Sequence, residues 1–208
     1  MQQSTRQKTK AALIQSAERL FAEKGLGSVS VKEITRAAGA KNPSAVHYHF
    51  GNVESLIKEV FAKRYAAIES ERLDRLAKVN VTNPKKRLLA LMQAALGPFM
   101  ETCLEEDGRL YVRFCVQLFT DPRFEPVEIL TQVGNQSIGQ LRAEIIDCVK
   151  DTVPEDTLAR RLPQGLMISL LLADDFARRI EAGTAPSVEL AIKEAAISVS
   201  AYLSAKMT

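Results

Sequence analysis

Residues 30–50, SVKEITRAAGAKNPSAVHYHF, decide how the chain is read. They predict two short helices joined by a glycine-centred turn. Ser30-Val31-Lys32-Glu33 has the S-x-x-E form of a capping box, which opens the first helix. Val31, Ile34 and Ala38 face inward from it, and Gly39 ends it. Asn42 is a good N-cap for the second helix. Pro43 then falls at the first helical position, where its missing N–H costs nothing. Val46 and Phe50, spaced i, i+4, anchor one thin face of this helix, which Gly51 ends. Ser44, His47, Tyr48 and His49 are left to look elsewhere, so the helix must meet water or a polar partner. Two short helices around such a turn form the supersecondary unit whose second helix enters the DNA major groove.

The flanks support this unit. A first helix is expected from about Thr5 to Lys24, with Leu13, Ala17, Leu20 and Phe21 making one apolar stripe and Gly25 closing it. Arg6, Lys8 and Lys10 precede the stripe, and both a solvated lead-in and a contact to phosphate fit them. Asn52 caps a further helix whose apolar residues (Val53, Leu56, Ile57, Val60, Phe61, Ile68) keep helical period to about Leu76. That length outruns a three-helix head, so the helix connects the head to the rest. AKVNVTNP, residues 77–84, is the best boundary in the chain. The expected division is a helix-turn-helix unit over 1–52, a connecting helix over 53–76 and a helical ligand-binding and dimerisation region over 77–208.

Beyond the boundary every long segment has helical period. Helices are expected over 84–106, 110–120, 126–151, 154–182 and 187–207, with Asp107-Gly108 and Asp121-Pro122 as stops and Pro163 as a kink. No strand alternation, hairpin dipeptide or repeat interrupts them, so the fold class is all-α.

Composition narrows the partners. Residues 1–65 carry 11 Lys and Arg against 5 Asp and Glu, whereas the remainder carries 17 against 20. The basic third is the one that holds the polar helix, which suggests an end facing nucleic acid on a near-neutral body. The longest apolar run, 167–173, stops at Asp174-Asp175 and is far short of a membrane span. The basic N-terminus has no apolar segment of the secretory type, so a cytoplasmic location without membrane contact is expected. Cys103, Cys115 and Cys148 are odd in number, widely spaced and set among apolar residues, the usage of reduced cysteine; a redox role is left open. There is no nucleophile–base pair, metal-ligand spacing or phosphate loop, so neither an enzyme nor a cofactor is expected.

A leading helix, then S-V-K-E-I-x-x-A-A-G and A-V-H-Y-H-F-G-N-x-E-S-L, resembles the N-terminal domain of TetR-family transcriptional regulators over roughly residues 5–56. The resemblance implies a homodimeric regulator, most often a repressor, that binds a palindromic double-stranded DNA operator. It also implies a C-terminal domain that takes a small-molecule effector. Carried over to this chain, the DNA-contacting positions are Ser30 and Lys32 at the start of the second helix, Lys41 in the turn, and Ser44, Ala45, His47, Tyr48 and His49 on the reading helix. Asn52-Val53 stand where many relatives carry a lysine, which leaves backbone N–H groups to meet phosphate there.

His47 and His49, at i, i+2, point about 200° apart and cannot chelate one metal, so hydrogen bonds to phosphates or base edges suit them better. Tyr48 can offer its ring to a thymine methyl or its hydroxyl to a phosphate. The reading helix lacks a central Arg, Asn or Gln, so specificity leans on Lys41, Ser44 and DNA shape. In the C-terminal region Met92, Phe99, Met100, Cys103, Tyr111, Phe114, Cys115 and Met167 either line an apolar effector cavity or simply pack the core. Asp174 and Asp175 precede Arg178 and Arg179 by four residues, as helical ion pairs do. The last two helices are apolar over most of their girth, and Leu166, Leu170, Ile180, Ala191, Ala195 and Val199 are the expected dimer contacts.

Overall fold

The computed structural model describes residues 2–206, with side chains from residue 5 onward. Among the described residues all regular structure is helical: α1 (Gln2–Lys24), α2 (Val31–Ala37), α3 (Ala45–Phe50), α4 (Val53–Ala77), α5 (Pro84–Glu101), α6 (Glu106–Thr120), α7 (Pro126–Val133), α8 (Gln136–Val149), α9 (Glu155–Glu181) and α10 (Val188–Ser204), with a 3-10 turn at Thr102–Leu104. Met207, expected in the last helix, lies outside the described residues.

A side-chain cap starts four of these helices. The Asn52, Asn83 and Ser187 side chains accept the backbone N–H of Ser55, Lys86 and Leu190. Each satisfies an N–H that the first turn cannot pair within the helix. Ser30 caps α2 in the same way, accepting from Glu33 at 3.2 Å. The Glu33 carboxylate is lowered in pKa by Lys24 of α1, with which it pairs, and by the backbone N–H of Ser30, the reciprocal partner of the capping box. That ion pair ties α2 to the helix it packs on.

Three expectations about boundaries give way. The predicted helix over 126–151 is two helices, α7 and α8, parted at Gly134, whose φ of +86° breaks the helical path. The Asp107-Gly108 pair does not stop a helix; it lies in the first turn of α6. A Cβ at Gly108 would stand 1.7 Å from the Thr102 carbonyl oxygen, so glycine is there to let the 3-10 turn press against α6. Finally, α3 begins at Ala45 rather than behind an Asn42 cap. Asn42 and Pro43 instead form a turn, with the Ala45 N–H donating to the Asn42 carbonyl at 3.0 Å and the Ser44 N–H to Asn42 Oδ1 at 2.9 Å. Proline at the second position and asparagine at the first are the residues such a turn prefers.

The largest core joins the helix-turn-helix to the helices beyond it. Leu13, Ala17 and Phe21 of α1, Ile34 of α2, Val46 of α3 and Leu56, Ile57 and Val60 of α4 are buried together with Tyr111, Phe114 and Leu118 of α6. Phe21 and Phe114 stack at 6.2 Å, and the Tyr111 hydroxyl donates to the Phe61 carbonyl at 2.9 Å. Arg64 adds an ion pair to the nearly buried Glu18 at 2.7 Å. Of the 25 residues of α4, which span roughly 37 Å at helical rise, the first half belongs to this core. Leu76, at its far end, belongs to a second core with α5, α8, α9 and α10. A third, smaller one gathers Met100, Cys103, Val112, Phe176 and Ala195. One rigid element therefore runs through both ends of the molecule.

Candidate nucleic-acid interface

The unit formed by α2 and α3 holds its apolar residues tightly and presents the rest. Gly39, with φ +63°, ends α2; the Gly39 and Ala40 N–H groups donate to the Arg36 and Thr35 carbonyls, which tightens the turn. On α3, Val46 is 1 % exposed and Phe50 is half-buried against the same core. Ser30, Lys32, Lys41, Ser44 and His47 are exposed, and Tyr48 stands out at 64 %. His49 is half-buried. Ala45 departs from expectation: at 4 % exposure it packs beside Val46 and has no surface to offer a groove. Helix period puts residues 45 and 46 on adjoining parts of one face, and the core takes both.

The sequence pattern leaves Arg6 and Lys10 undecided, and the fold places them on α3. The Arg6 guanidinium lies over the Tyr48 ring, 5.2 Å from its centroid, and Lys10 Nζ lies 5.5 Å from the centroid of Phe50. Lys10 also pairs with Glu59 of α4 at 3.0 Å. Tyr48 in turn meets the edge of His49 at 5.0 Å. Spacing i, i+4 was the signal that Arg6 and Lys10 share a face; which helix that face meets is a tertiary fact. The cluster depresses His49: partial burial, then the cations of Arg6 and Lys10, lower its pKa from the usual value, so at neutral pH the imidazole is uncharged. Where α4 begins, Asn52 already accepts the Ser55 N–H, so fewer N–H groups are left for an anion than expected.

Five of the eight residues expected to line an effector cavity share the largest core, where Phe99 meets Tyr111 at 6.3 Å. Tyr111, Phe114 and Cys115 are buried in the largest core, with Phe99 and Met167 packed against it. Met100 and Cys103 lie in the third core and Met92 in the second. Helical period had marked these residues as inward, but it cannot say into which of three cores each points. Burial drives the Cys103 thiol up to about 12 and raises Cys115 and Cys148, so none of the three is an activated thiol.

The expected dimer contacts are likewise mostly interior. Leu170, Ala191, Ala195 and Val199 are buried within the one chain, and Leu166 and Ile180 are half-buried against its cores. The outward face of the same helices carries Leu171, Leu190 and Ile197, each about half exposed. A groove of about 470 Å³ runs along it, floored by Met100, Phe176 and Ala195 and rimmed by Asp175, Arg179 and Glu194. Asp174–Arg178 and Asp175–Arg179 form the expected i, i+4 pairs at 3.1 and 2.6 Å. Among the described residues no group of three or more His, Cys, Asp or Glu is placed to hold a metal ion. None of the described helices is long and apolar enough to cross a membrane.

Known proteins share this arrangement. Residues 13–60 match the sequence profile of the bacterial regulatory proteins, tetR family. The chain is 26 % identical over 163 residues to the HTH-type transcriptional regulator AcrR of Shigella flexneri, covering 77 % of this chain and 70 % of that protein. Its fold is similar to that of a TetR family transcription regulator from Marinobacter aquaeolei, with a TM-score of 0.62 at 17 % identity over 95 % of this chain and 98 % of the other. It is also similar to NalD, the secondary repressor of the MexAB-OprM multidrug efflux pump in Pseudomonas aeruginosa, with a TM-score of 0.50 at 21 % identity over 93 % and 97 %.

Proposed function

We propose that this chain, a TetR-family transcriptional regulator by its head and its fold, is a cytoplasmic homodimer that represses by holding a palindromic operator and lets go when a small molecule occupies its C-terminal region. The observation that carries this reading is α3, six residues whose polar side chains look outward from a core that fixes the helix from behind. A helix so short is not stable alone; its packing is what presents it. The surrounding basic third supplies phosphate contacts, with Ser30, Lys32 and Lys41 flanking the groove and His47, Tyr48 and His49 over it.

The division of labour runs along the elements: residues 1–52 read DNA, 53–76 connect, and 77–208 bind the effector and dimerise. Two heads must meet major grooves about 34 Å apart on one face of the duplex. Leu171, Leu190 and Ile197 supply an apolar outer face through which a second copy covers α9 and α10. An effector acts if it binds better to a conformation in which α4 holds the heads at the wrong separation. The function is regulatory, not enzymatic.

The test is a gel-shift titration on the DNA flanking its own gene across a range of salt. Sequence-selective binding that weakens steeply with salt is the expected result. Equal binding to unrelated DNA would leave only basic attraction and end the repressor reading.

A further inference from the structure

On α3 the two residues that anchor the helix to the core, Val46 and Phe50, leave Tyr48 between them, turned about 200° from each. The packing that fixes the helix therefore does nothing to fix this side chain, which is 64 % exposed. Within α3 its ring meets the edge of His49 at 5.0 Å. The restraint from outside comes from α1, whose Arg6 guanidinium lies 5.2 Å from the ring centroid.

The first turns of α1 are set for that contact. Lys10, one turn after Arg6, lies 5.5 Å from the centroid of Phe50 and pairs with Glu59 of α4 at 3.0 Å. It pins α1 across α3 and α4, so that the residue four positions earlier, on the same face, falls over Tyr48. The two cations differ in their commitments. Lys10 is matched by a carboxylate, whereas among the described residues no carboxylate pairs with Arg6. Arg6 is also exposed, so it adds nothing to the core. A guanidinium over an aromatic face is held by the ring's quadrupole, and its flat shape lets it stack. An unrestrained tyrosine loses rotamer freedom on entering a groove; a ring held beforehand has already lost it.

We propose that Arg6 is a positioning residue of the reading helix: from α1 it holds the Tyr48 ring in one orientation before DNA arrives, and so governs discrimination at the base pair that Tyr48 meets. This rests on the reading that α3 docks in the major groove of an operator. The competing role for the same cation is a phosphate contact, which carries no sequence information and strengthens every duplex alike. A held ring acts at one position, and the two roles are thereby separable.

The test uses the full-length protein to select from a pool of random duplexes, then titrates the selected duplex and copies with one base pair changed. Measurements at about pH 8 keep His49 uncharged in the free protein of every variant, so its titration does not enter. Arg6→Gln is expected to bind the selected duplex roughly fivefold more weakly. It is also expected to relax discrimination at the base pair that Tyr48→Leu relaxes, and at no other. The double variant is expected to bind within about twofold of Tyr48→Leu alone, where independent sites would add their losses. A loss spread evenly over all sequences, a loss as large in the Tyr48→Leu background, or no loss at all overturns the assignment. So does a lowered melting temperature of Arg6→Gln, which would make the residue structural. If the wild type selects no sequence, the regulator reading fails and this inference with it. If the wild type selects one and Arg6→Gln reads it unchanged, this inference alone is lost.

Discussion

Tyr48 and His49 show how much of a reading surface is decided residue by residue. Tyr48 is mostly exposed, and beyond α3 its ring meets the Arg6 guanidinium. Its truncation therefore removes the DNA contact proposed for it without opening a cavity. Tyr48→Ala is expected to weaken operator binding by roughly tenfold or more, within the range of about 1–3 kcal/mol for one lost base contact, while the melting temperature stays put. Parallel gel-shift and thermal-melt measurements check it, and a melting temperature that falls sharply would mean that Tyr48 is part of the core. His49 carries a pH signature. Its folded pKa is lowered by partial burial, Arg6 and Lys10, so the unfolded chain binds more protons in the window below the ordinary histidine value. Stability from this group is present above that window and is lost as pH falls through it. An NMR titration should place the His49 midpoint below that of a free histidine, and Arg6→Gln should move it upward. An unmoved midpoint would show that Arg6 is not the neighbour it is taken for.

At the scale of elements, caps were legible and joins were not. Ser30 and Asn52 read as caps and each accepts its N–H, whereas Asn42, read the same way, closes a turn ahead of α3. Gly108 read as a stop because glycine and aspartate usually end helices, yet it sits within the first turn of α6 against Thr102. Gly108→Ala should thus destabilise the chain by about 2 kcal/mol or more, as overpacking does when the obstacle is backbone. Urea unfolding measures this directly; a variant as stable as the wild type would mean that the Thr102–Leu104 turn yields easily. Gly134 went unread for the opposite reason. The apolar period continues across it into α8, and only its positive φ separates the two helices.

For the whole molecule, the question is whether the head and the rest behave as one. Phe21 of α1 is fully buried against Phe114 of α6 in a core shared by both. Phe21→Ala is expected to cost about 3–5 kcal/mol and to lower a single thermal transition rather than split it. Two resolved transitions in calorimetry would show that the head melts alone. On the far side, Ile197→Asp places a charge on the exposed face of α10 and should leave a folded monomer by analytical ultracentrifugation. An unchanged dimer would move the interface elsewhere. What the sequence alone determined was the class of fold, the helix-turn-helix with its Ser30 cap, the long helix after it with its Asn52 cap and the polar character of α3, since these rest on period, turn chemistry and composition within a few neighbouring residues. The tertiary structure decided which face of each helix meets which neighbour. It buried Ala45, set Arg6 on Tyr48, gathered five of the eight expected cavity residues at one core and turned Leu171 and Ile197 outward in place of Leu170 and Ala195. The reason is physical: a helix apolar over most of its girth satisfies its own period in several orientations, and only packing against distant residues selects one.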